Sequence, residues 1–498
     1  MLIDAVSTFG ARTPNAIACV DLELGQHWSY RRLDQEINRV ANWLVELLGP
    51  ASGQRVATIA RNSAAMLMLN LACVRAGAIF VPCNWRLSTT ELDRILDDAE
   101  PALIFCDEEF RQAWSGVPSF RLSDLATLCD RASSELSDAS RRDWNEPATI
   151  LYTSGTSGGQ KGVLISERNA FWSQFAFATA NRASANSVYL CDMPLFHTAG
   201  LLANARSPML LGGTVLISER FDADKTVARL ADASLAVTHY FSVPQMAATL
   251  WQHPDFEPEK LRHLQVYATG GAPNPHAQIE RFVSAGICMS DGYGMTEAGS
   301  VSGMPTGNVG VLLAKAGSCG LPYAGMEARV VDDRGLDLPR NAVGELWLKG
   351  PGVTSGYWRR PADTERAFQA SWLKSGDLAR IDDDGFLFIV DRKKDMFISG
   401  GENVYSIEIE SAISAHPGVD AVAVFGVPDE QWGEVGVACV VPGVDAELTA
   451  DSLKSFCRQV LAEYKIPKLF VIRNSLPRTA TGKIRKSVLK GELLSIQR

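Results

Sequence analysis

The sequence has no C-x-x-C pair, no apolar run of membrane-spanning length and no basic segment of the kind that opens a signal peptide. Its ten cysteines are scattered, which predicts core thiols in a reducing compartment rather than disulfides or a zinc site. The N-terminal segment carries Asp4 and lacks a basic n-region. The most apolar stretch, residues 64–82, is interrupted by Asn70, Arg75 and Gly77, so we expect a core helix followed by a strand instead of a membrane span. We therefore predict a cytoplasmic protein.

Positive charge is not in excess either. The chain has 48 Lys and Arg against 57 Asp and Glu, a net charge of −9, which argues against a general nucleic-acid-binding protein. Internal repeats and low-complexity tracts are also missing. What the sequence does have is an ordinary globular composition, 46% hydrophobic and 21% charged. One hydrophobic core rarely supports 498 residues, so we expect several subdomains.

Helical and strand-like patterns alternate along much of the chain. Their alternation through residues 33–106 and again through residues 187–269 predicts an α/β fold with a largely parallel sheet. Three of these strands run into turns rich in glycine or proline, and we expect the turns to surround one cleft, because ligands in open α/β sheets collect at the carboxyl ends of strands. Short strands after residue 316 predict a small β subdomain. Beyond the charged run 391–395 we expect an α+β unit of about a hundred residues, large enough to fold alone.

Residues 148–162, ATILYTSGTSGGQKG, join an apolar strand-like run to a loop of small and hydroxyl residues. Free backbone N–H groups, hydroxyls and Lys161 can together surround a polyphosphate. The Walker A pattern fails, because Gln160 and Gly162 stand where it needs Gly and Ser or Thr. A nucleophile elbow using Ser157 needs a helix after the loop, whereas the sequence continues as a β-like run; a plain surface loop is the remaining alternative. We favour a phosphate site built as strand, glycine loop and strand.

Three further segments carry polar groups that suit a nucleotide, although each has a simpler explanation. Residues 292–297, GYGMTE, begin like a dinucleotide fingerprint but end in Glu297. Thr296 and Glu297 offer oxygen ligands for Mg²⁺; the alternative is a tight turn. Asp377, in SGDL, suits two ribose hydroxyls or forms an Asx-turn. Lys483, in RTATGKIRK, is either a positioned lysine or part of a solvated basic face.

In combination these segments resemble the acyl-adenylate-forming superfamily, which includes acyl-CoA synthetases, aryl-CoA ligases, luciferase and peptide-synthetase adenylation domains. The resemblance covers nearly the whole chain, in order. YTSGTSGGQKG is similar to the phosphate loop, GYGMTE to the adenine and Mg²⁺ segment, SGDLA to the ribose segment, DRKKD to the hinge and PRTATGK to the segment of the catalytic lysine. Two departures, Ser157 for the usual Thr and Gln160 for the usual Pro, remove no phosphate ligand. PLFHTAG, VPQM and GGAPNP are similar to segments of bacterial feruloyl-CoA and medium-chain fatty acyl-CoA synthetases.

The resemblance implies a reaction in two steps: a carboxylate and ATP give acyl-AMP and pyrophosphate, and a thiol then displaces AMP. It implies that Lys483 bridges the carboxylate and the α-phosphate, and that Glu297 and Thr156 hold Mg²⁺, which makes these three the implied catalytic residues. The residues implied for ATP and AMP are Thr153, Ser154, Gly155, Thr156, Lys161, Gly271, Ala272, Pro273, Asp291, Gly292, Tyr293, Gly294, Met295, Thr296, Asp377, Arg392 and Lys483. The implied acyl pocket, gated by His197, contains His197, Phe241, Ser242, Gly270, Gly271 and Gly294. The implied CoA tunnel contains Gly400, Gly401 and Glu402, and the implied hinge is Lys394.

The resemblance also implies the domains and the partners. Residues 1–391 are expected to form an AMP-binding domain with the acyl and ATP sites, and residues 392–498 a mobile C-terminal domain. CoA is the expected acceptor, because SGGEN at residues 399–403 is similar to acyl-CoA ligases and no carrier domain follows Lys483. The expected substrate is a hydroxycinnamate-like or medium-chain monocarboxylic acid, since the pocket candidates offer no cation for a second carboxylate. ATP, Mg²⁺ and CoA are the other expected ligands. A homodimer is one possible oligomeric state. The alternatives are luciferase-like oxidation, loading of a carrier protein and, remotely, a serine hydrolase using Ser157.

Overall fold

The chain folds into stacked sheets and helices, and the computed structural model describes residues 4–111, 116–136, 143–153, 160–399, 402–443, 446–478 and 483–496. Within these ranges there are four β-sheets, of nine, six, five and five strands. The two larger sheets are mainly parallel and carry helices, which confirms the predicted α/β class. Among the helices of these ranges, none combines the length and the apolar character of a membrane span.

The first part of the chain builds the six-stranded sheet and starts the nine-stranded one. Its elements are α1 (Ala5–Arg12), β1 (Ile17–Asp21), β2 (Gln26–Ser29), α2 (Tyr30–Leu48), β3 (Arg55–Ile59), α3 (Ala64–Ala76), β4 (Ile79–Cys83), α4 (Thr89–Ala99), β5 (Leu103–Cys106), β6 (Ser119–Arg121), α5 (Leu125–Leu128), β7 (Pro147–Thr153) and β8 (Lys161–Ser166). Strands β3–β8 lie in the order β6-β5-β3-β4-β7-β8, and only β7 and β8 pair antiparallel. Residues 64–82 contain the predicted core helix and strand: Ser63 caps α3 by accepting from the N–H of Met66, and Gly77 ends it in the left-handed conformation.

The middle of the chain completes the nine-stranded sheet. Its elements are α6 (Glu167–Ala180), β9 (Val188–Cys191), a π-helical segment (Ala199–Arg206), α7 (Ser207–Met209), β10 (Thr214–Ile217), α8 (Ala223–Ala231), β11 (His239–Ser242), α9 (Pro244–Gln252), β12 (Val266–Gly270), α10 (His276–Ser284), β13 (Met289–Met295), β14 (Gly299–Gly303), α11 (Val309–Ala314) and β15 (Leu321–Pro322). The order is β15-β14-β13-β12-β11-β9-β10-β1-β2. Strands β9, β11, β12 and β13 are parallel neighbours, so their carboxyl ends meet at one edge, as predicted.

The last part of the chain forms the two five-stranded sheets. The first sheet consists of β16 (Glu327–Val331), β17 (Gly344–Lys349), β18 (Phe368–Gln369), β19 (Trp372–Ile381) and β20 (Leu387–Arg392), and helix α12 (Pro361–Ala367) comes between β17 and β18 in the chain. The second contains β21 (Phe397–Ser399), β22 (Glu402–Val404), α13 (Ser406–Ser414), β23 (Val419–Asp429), β24 (Gly433–Pro442), α14 (Ala450–Val460), β25 (Leu469–Ile472) and α15 (Lys486–Ile496). Each sheet has its own buried apolar cluster, one around Leu346 and Leu373 and the other around Ile409 and Val424.

Two segments that suggested turns lie within strands. The GYGM of GYGMTE belongs to β13, where Gly292 pairs with Gly270 on one side and Gly303 on the other. SGDL lies inside the ten-residue strand β19, where Asp377 pairs with Arg392. Glycine and aspartate are depleted in strands, but pairing with neighbours far along the chain overrides that local preference. A paired strand therefore replaces the Asx-turn at Asp377, whereas in GYGMTE only the first four residues are in a strand, and Thr296 and Glu297 lie in the turn that follows it.

Candidate active site

The strands on either side of the glycine loop, β7 and β8, pair antiparallel as a hairpin. Thr153 at the end of β7 is paired with Lys161 at the start of β8, and the Thr153 hydroxyl lies 3.4 Å from the Lys161 carbonyl, to which it donates. The tip itself, with Ser154, Gly155 and Thr156, lies outside the described residues. A strand follows the loop, as the phosphate-site interpretation predicts. The helix that a Ser157 nucleophile elbow needs is replaced by β8.

The side chain of Lys161 is held by a carboxylate that the sequence did not suggest. Its Nζ lies 2.8 Å from Oδ1 of Asp363 on α12 and 5.3 Å from the ring centre of Tyr357. Arg366 donates to the same Asp363 oxygen at 2.7 Å. Hydrogen bonds from Lys161 and Arg366 lower the pKa of Asp363. In this structure Lys161 therefore faces an anionic partner at the base of the predicted phosphate site.

Glu297 lies beside the same hairpin, in the turn between β13 and β14. The hydroxyl of Tyr357 donates to its Oε1 at 3.0 Å. Tyr357 belongs to a segment that runs along β8, where Trp358 donates its N–H to the carbonyl of Gly162 at 2.7 Å. Burial raises the pKa of Glu297, against the hydrogen bond from Tyr357 and the charge of Arg392. Tyr357 thus connects the phosphate hairpin to the predicted metal ligand.

Tyr293, Asp377 and Arg392 come together from three strands. Asp377 on β19 is the register partner of Arg392 on β20, and Arg392 Nε lies 3.6 Å from Asp377 Oδ1. The hydroxyl of Tyr293, on β13, donates to Asp377 Oδ2 at 2.5 Å. The Asp377 side chain is 11% exposed, so one edge still faces the cleft. The Asp377 carboxylate is therefore held from two sides, by Tyr293 and by Arg392. A carboxylate fixed in this way can accept hydrogen bonds from the two hydroxyls of a diol.

The predicted adenine segments lie next to this group. Residues 271–273 follow β12 and are exposed, and Gly271 has a left-handed backbone with φ of 82°. Asp291 is buried, accepts from the Thr269 hydroxyl at 2.9 Å, and burial raises its pKa to about 7. Met295 and Thr296 are partly buried at the end of the same strand.

The glycines that flank Tyr293 are explained by the packing of β14 against β13. A Cβ on Gly292 would lie 2.9 Å from the carbonyl oxygen of Ser302, and one on Gly294 would lie 2.6 Å from that of Gly299. Both contacts are with β14, the antiparallel neighbour of β13. Close packing of the neighbouring strand therefore requires glycine at both positions.

Lys483 enters the cleft from the C-terminal unit. Lys483 is exposed, yet desolvation of its ammonium group by the surrounding residues and the charge of Arg392 lower its pKa to about 8, while Asp377 and Glu297 act in the opposite direction. The charges that act on Lys483 are therefore those of the ribose and metal candidates. The structure brings the predicted catalytic lysine to the predicted nucleotide residues.

His197 lies at the same cleft, between β9 and the π-helical segment. Its Nε2 is inaccessible to solvent and has no hydrogen-bond partner among the described residues. Burial, together with the charges of Lys483 and Arg86, lowers its pKa to about 3, so the ring is neutral at pH 7. A neutral ring next to the lysine suits the predicted boundary between the nucleotide and acyl sites.

The predicted acyl-pocket residues divide between two faces of the nine-stranded sheet. Phe241 packs in an apolar cluster with Phe177, Met193 and Ala268. Ser242 points to the opposite face, where its hydroxyl lies 3.1 Å from that of Tyr267, because successive side chains of a strand alternate. The Ser242 side chain therefore does not share the apolar cluster of Phe241, and its place in an acyl pocket stays a prediction. A Cβ on Gly270 would lie 2.8 Å from the Gly292 carbonyl oxygen, so close packing against β13 requires glycine at this position.

Of the predicted hinge and tunnel residues, the structure describes Lys394 and Glu402, which lie near the connection between the two five-stranded sheets. Lys394 is exposed between β20 and β21. Glu402 begins β22 and is also exposed. Gly400 and Gly401 lie outside the described residues. The connection between the sheets is thus short and carries Lys394 at its surface.

Comparison with known proteins agrees with this arrangement. The profile of the AMP-binding enzyme family matches residues 6–358, and that of the AMP-binding enzyme C-terminal domain matches residues 408–483. The feruloyl-CoA synthase of Amycolatopsis sp is 36% identical over 470 residues, 94% of each chain. The indoleacetate–CoA ligase of Aromatoleum aromaticum is 34% identical over 472 residues, 92% of each chain.

Solved structures of relatives have the same fold. ATP-bound MatB from Rhodopseudomonas palustris is 32% identical, with a TM-score of 0.92 over 100% of both chains. For apo MatB, at the same identity and coverage, the TM-score is 0.81. The chain therefore belongs to the AMP-binding enzyme family, and it is an AMP-forming acyl-CoA ligase.

Proposed function

We propose that this ligase adenylates a monocarboxylic acid in the cleft between its two parts and then passes the acyl group to CoA. In the first step a carboxylate oxygen attacks the α-phosphorus of ATP, the bond to the bridging oxygen breaks, and pyrophosphate leaves. In the second step the CoA thiol loses its proton, its sulfur attacks the acyl carbonyl, and AMP leaves. The observation that carries the proposal is the convergence of Tyr293, Asp377 and Arg392 from three strands, together with the charges of Arg392, Asp377 and Glu297 that act on Lys483.

Lys483 supplies the positive charge that the first step needs. Two anions, the carboxylate and the α-phosphate, must approach each other, and preorganised cations stabilise the charge that builds up between them. With a pKa of about 8, Lys483 is mostly protonated at pH 7 before ATP arrives. The phosphates raise that pKa further, because they favour the charged form.

Asp377 and Arg392 hold the ribose. The Asp377 carboxylate accepts from the ribose hydroxyls, and Tyr293 fixes its orientation through the 2.5 Å hydrogen bond. Gly271, Ala272, Pro273 and Tyr293 flank the adenine, whereas Asp291 accepts from the adenine amino group.

The donor set beside the hairpin fits a magnesium ion. Glu297 is a partly buried carboxylate oriented by a hydrogen bond from Tyr357, and Mg²⁺ prefers oxygen ligands. Glu297 and Thr156 would hold the ion, which when bound neutralises charge on the phosphates. Tyr357 keeps Glu297 directed toward the hairpin.

Lys161 binds the outer phosphates after leaving Asp363. Thr153, Ser154, Gly155 and Thr156 surround the same β and γ phosphates with hydroxyl and N–H donors. The ion pair with Asp363 keeps the Lys161 side chain at the base of the hairpin until phosphate replaces the carboxylate.

The second step uses a different arrangement of two domains, residues 1–391 and residues 392–498. Rotation about Lys394 removes Lys483 from the cleft and brings residues 400–402 to it, where they line the path of the CoA pantetheine arm. The separate apolar clusters of the two parts support independent movement. The higher TM-score to ATP-bound than to apo MatB supports an adenylating arrangement for this structure.

The acid is an aromatic, hydroxycinnamate-like compound or a medium-chain monocarboxylate. The apolar cluster around Phe241 supports an uncharged acyl group, with His197 between it and Lys483. Two of the relatives act on aromatic acids by name, ferulate and indoleacetate. A third is named for 2-succinylbenzoate, which makes a dicarboxylic acid the necessary comparison.

We place the enzyme in the cytoplasm. All ten cysteines are free thiols, and nine of them are buried. Thiols that persist in this number suit a reducing compartment.

A pyrophosphate-release screen tests the proposed substrate class. Ferulate, 4-hydroxycinnamate, indoleacetate, octanoate and 2-succinylbenzoate are each supplied with ATP and Mg²⁺, with and without CoA. Aromatic or medium-chain acids should release pyrophosphate and, with CoA, give a thioester. Preference for 2-succinylbenzoate would contradict the monocarboxylate assignment, and release without any thioester would contradict CoA as acceptor.

A further inference from the structure

A buried polar network starts at the end of β20, next to the ribose residue Arg392. Asp391 is 1% exposed and accepts from the backbone N–H and the hydroxyl of Ser406 at the start of α13. The N–H of Arg392 also donates to Asp391, at 2.7 Å. The carboxylate is thus satisfied from its own strand and from the C-terminal unit.

Lys486 extends this network to the last helix. Its Nζ donates to the Ser406 hydroxyl at 2.6 Å and lies 2.8 Å from Oε1 of Glu410 on α13. The side chains of Lys486 and Glu410 are both 17% exposed. Burial raises the pKa of Asp391 and of Glu410, and the charge of Lys486 opposes both shifts. One cation therefore compensates two enclosed carboxylates.

The network spans the hinge and ends close to the catalytic lysine. Asp391 comes three residues before Lys394, and Lys486 comes three residues after Lys483. The segment between Lys483 and Lys486 is fixed by its backbone, since Ile484 bridges to Arg478 and Arg485 donates to the Pro477 carbonyl at 2.7 Å. The position of Lys486 consequently sets the position of Lys483.

We propose that Asp391, Ser406, Glu410 and Lys486 are positioning residues that hold Lys483 in the cleft for adenylation, and that Asp391 separates from the other three when the thioester is made. This inference rests on the proposed function. Asp391 precedes the hinge, whereas the other three follow it, so a rotation about Lys394 changes the distance between Asp391 and Ser406. The contacts belong to the adenylating arrangement, and their loss should slow one half-reaction and spare the other.

The test compares the two half-reactions in folded, full-length variants. Asp391→Asn and Lys486→Met are assayed for pyrophosphate release with ATP and ferulate, or with the most active acid of the screen, and for thioester formation from the corresponding synthetic acyl-AMP and CoA. We expect kcat for pyrophosphate release to fall at least tenfold and thioester formation to stay within twofold. Lys486→Arg, which keeps the cation, should restore pyrophosphate release to within threefold of wild type.

Lys465→Met is the matched control. The Nζ of Lys465 lies 2.6 Å from Oε1 of Glu408, which is on the same helix as Glu410. This pair does not join the network, so both half-reactions should stay within twofold in the variant. If Asp391→Asn does not fold, Ser406→Ala, which keeps the backbone N–H donor, takes its place in the comparison.

Two results would overturn the proposal. A parallel loss in both half-reactions would make the network a structural anchor only, and unchanged adenylation would remove any role in positioning. Wild-type enzyme that releases no pyrophosphate with any acid of the screen would instead contradict the proposed function, so the two failures can be told apart.

Discussion

The hydroxyl of Tyr293 donates a 2.5 Å hydrogen bond to Asp377, a residue 84 positions further along the chain. Through this contact the nine-stranded sheet fixes a carboxylate that belongs to the first five-stranded sheet. Arg392 approaches the other oxygen of the same carboxylate. The proposed ribose site is thus assembled across a boundary between two sheets.

Tyr293→Phe should lower kcat/KM for ATP in pyrophosphate release by about ten- to a hundredfold, because a hydrogen bond to a charged group contributes about 1.5–3 kcal/mol. Steady-state kinetics at varied ATP measure the effect. In an Asp377→Ala background the same substitution should add less than about twofold, since its partner is gone. Equal losses in both backgrounds would mean that Tyr293 acts on adenine alone.

Lys161→Met should raise KM for ATP by about tenfold, through loss of a charged phosphate contact. Arg366→Met provides the control, because Arg366 bonds the same Asp363 oxygen but its side chain is 74% exposed. ATP titrations of both variants give the comparison. A similar change in KM for both would assign the effect to Asp363 rather than to a phosphate contact of Lys161.

Asp291→Asn should stabilise the protein at alkaline pH. Burial raises the pKa of Asp291 from 3.8 to about 7, so between these values the folded state binds more protons than the unfolded state and stability falls as pH rises. The full loss, reached above pH 7, is about 4 kcal/mol. The Asn side chain keeps an oxygen acceptor for Thr269 and removes the charge.

Thermal unfolding at pH 5 and pH 8 checks this prediction. The midpoint of Asp291→Asn relative to wild type should be higher at pH 8 than at pH 5. An equal difference at the two pH values would show that Asp291 does not titrate with a raised pKa.

Local patterns predicted much of the fold. The helix at residues 64–76 and the glycine hairpin follow from capping residues, apolar runs and β-like flanks that lie within a few residues of each other. The strand conformation of GYGM and SGDL was harder to predict, because it depends on pairing with β12, β14 and β20, each of which is a separate segment of the chain. No local signal distinguishes such a strand from a turn.

The members of the predicted site come from motifs, and residues outside the motifs were missed. The side chains of Asp377 and Arg392 lie 3.6 Å apart, and the charges of Arg392, Asp377 and Glu297 act on Lys483; the roles of these residues stay predictions. Asp363 pairs with Lys161 across 202 residues, which no motif could indicate. The sheet face of Ser242 follows from strand register, which the sequence alone left open.

The two half-reactions of Lys483→Ala show whether Lys483 acts in adenylation alone. Pyrophosphate release with ATP and the acid should fall by about a hundred- to a thousandfold, the usual cost of losing one preorganised charge-stabilising donor. Thioester formation from supplied acyl-AMP and CoA should remain within about threefold of wild type, since Lys483 has left the cleft in that step. An equal fall in both half-reactions would contradict the assignment of Lys483 to the first step alone.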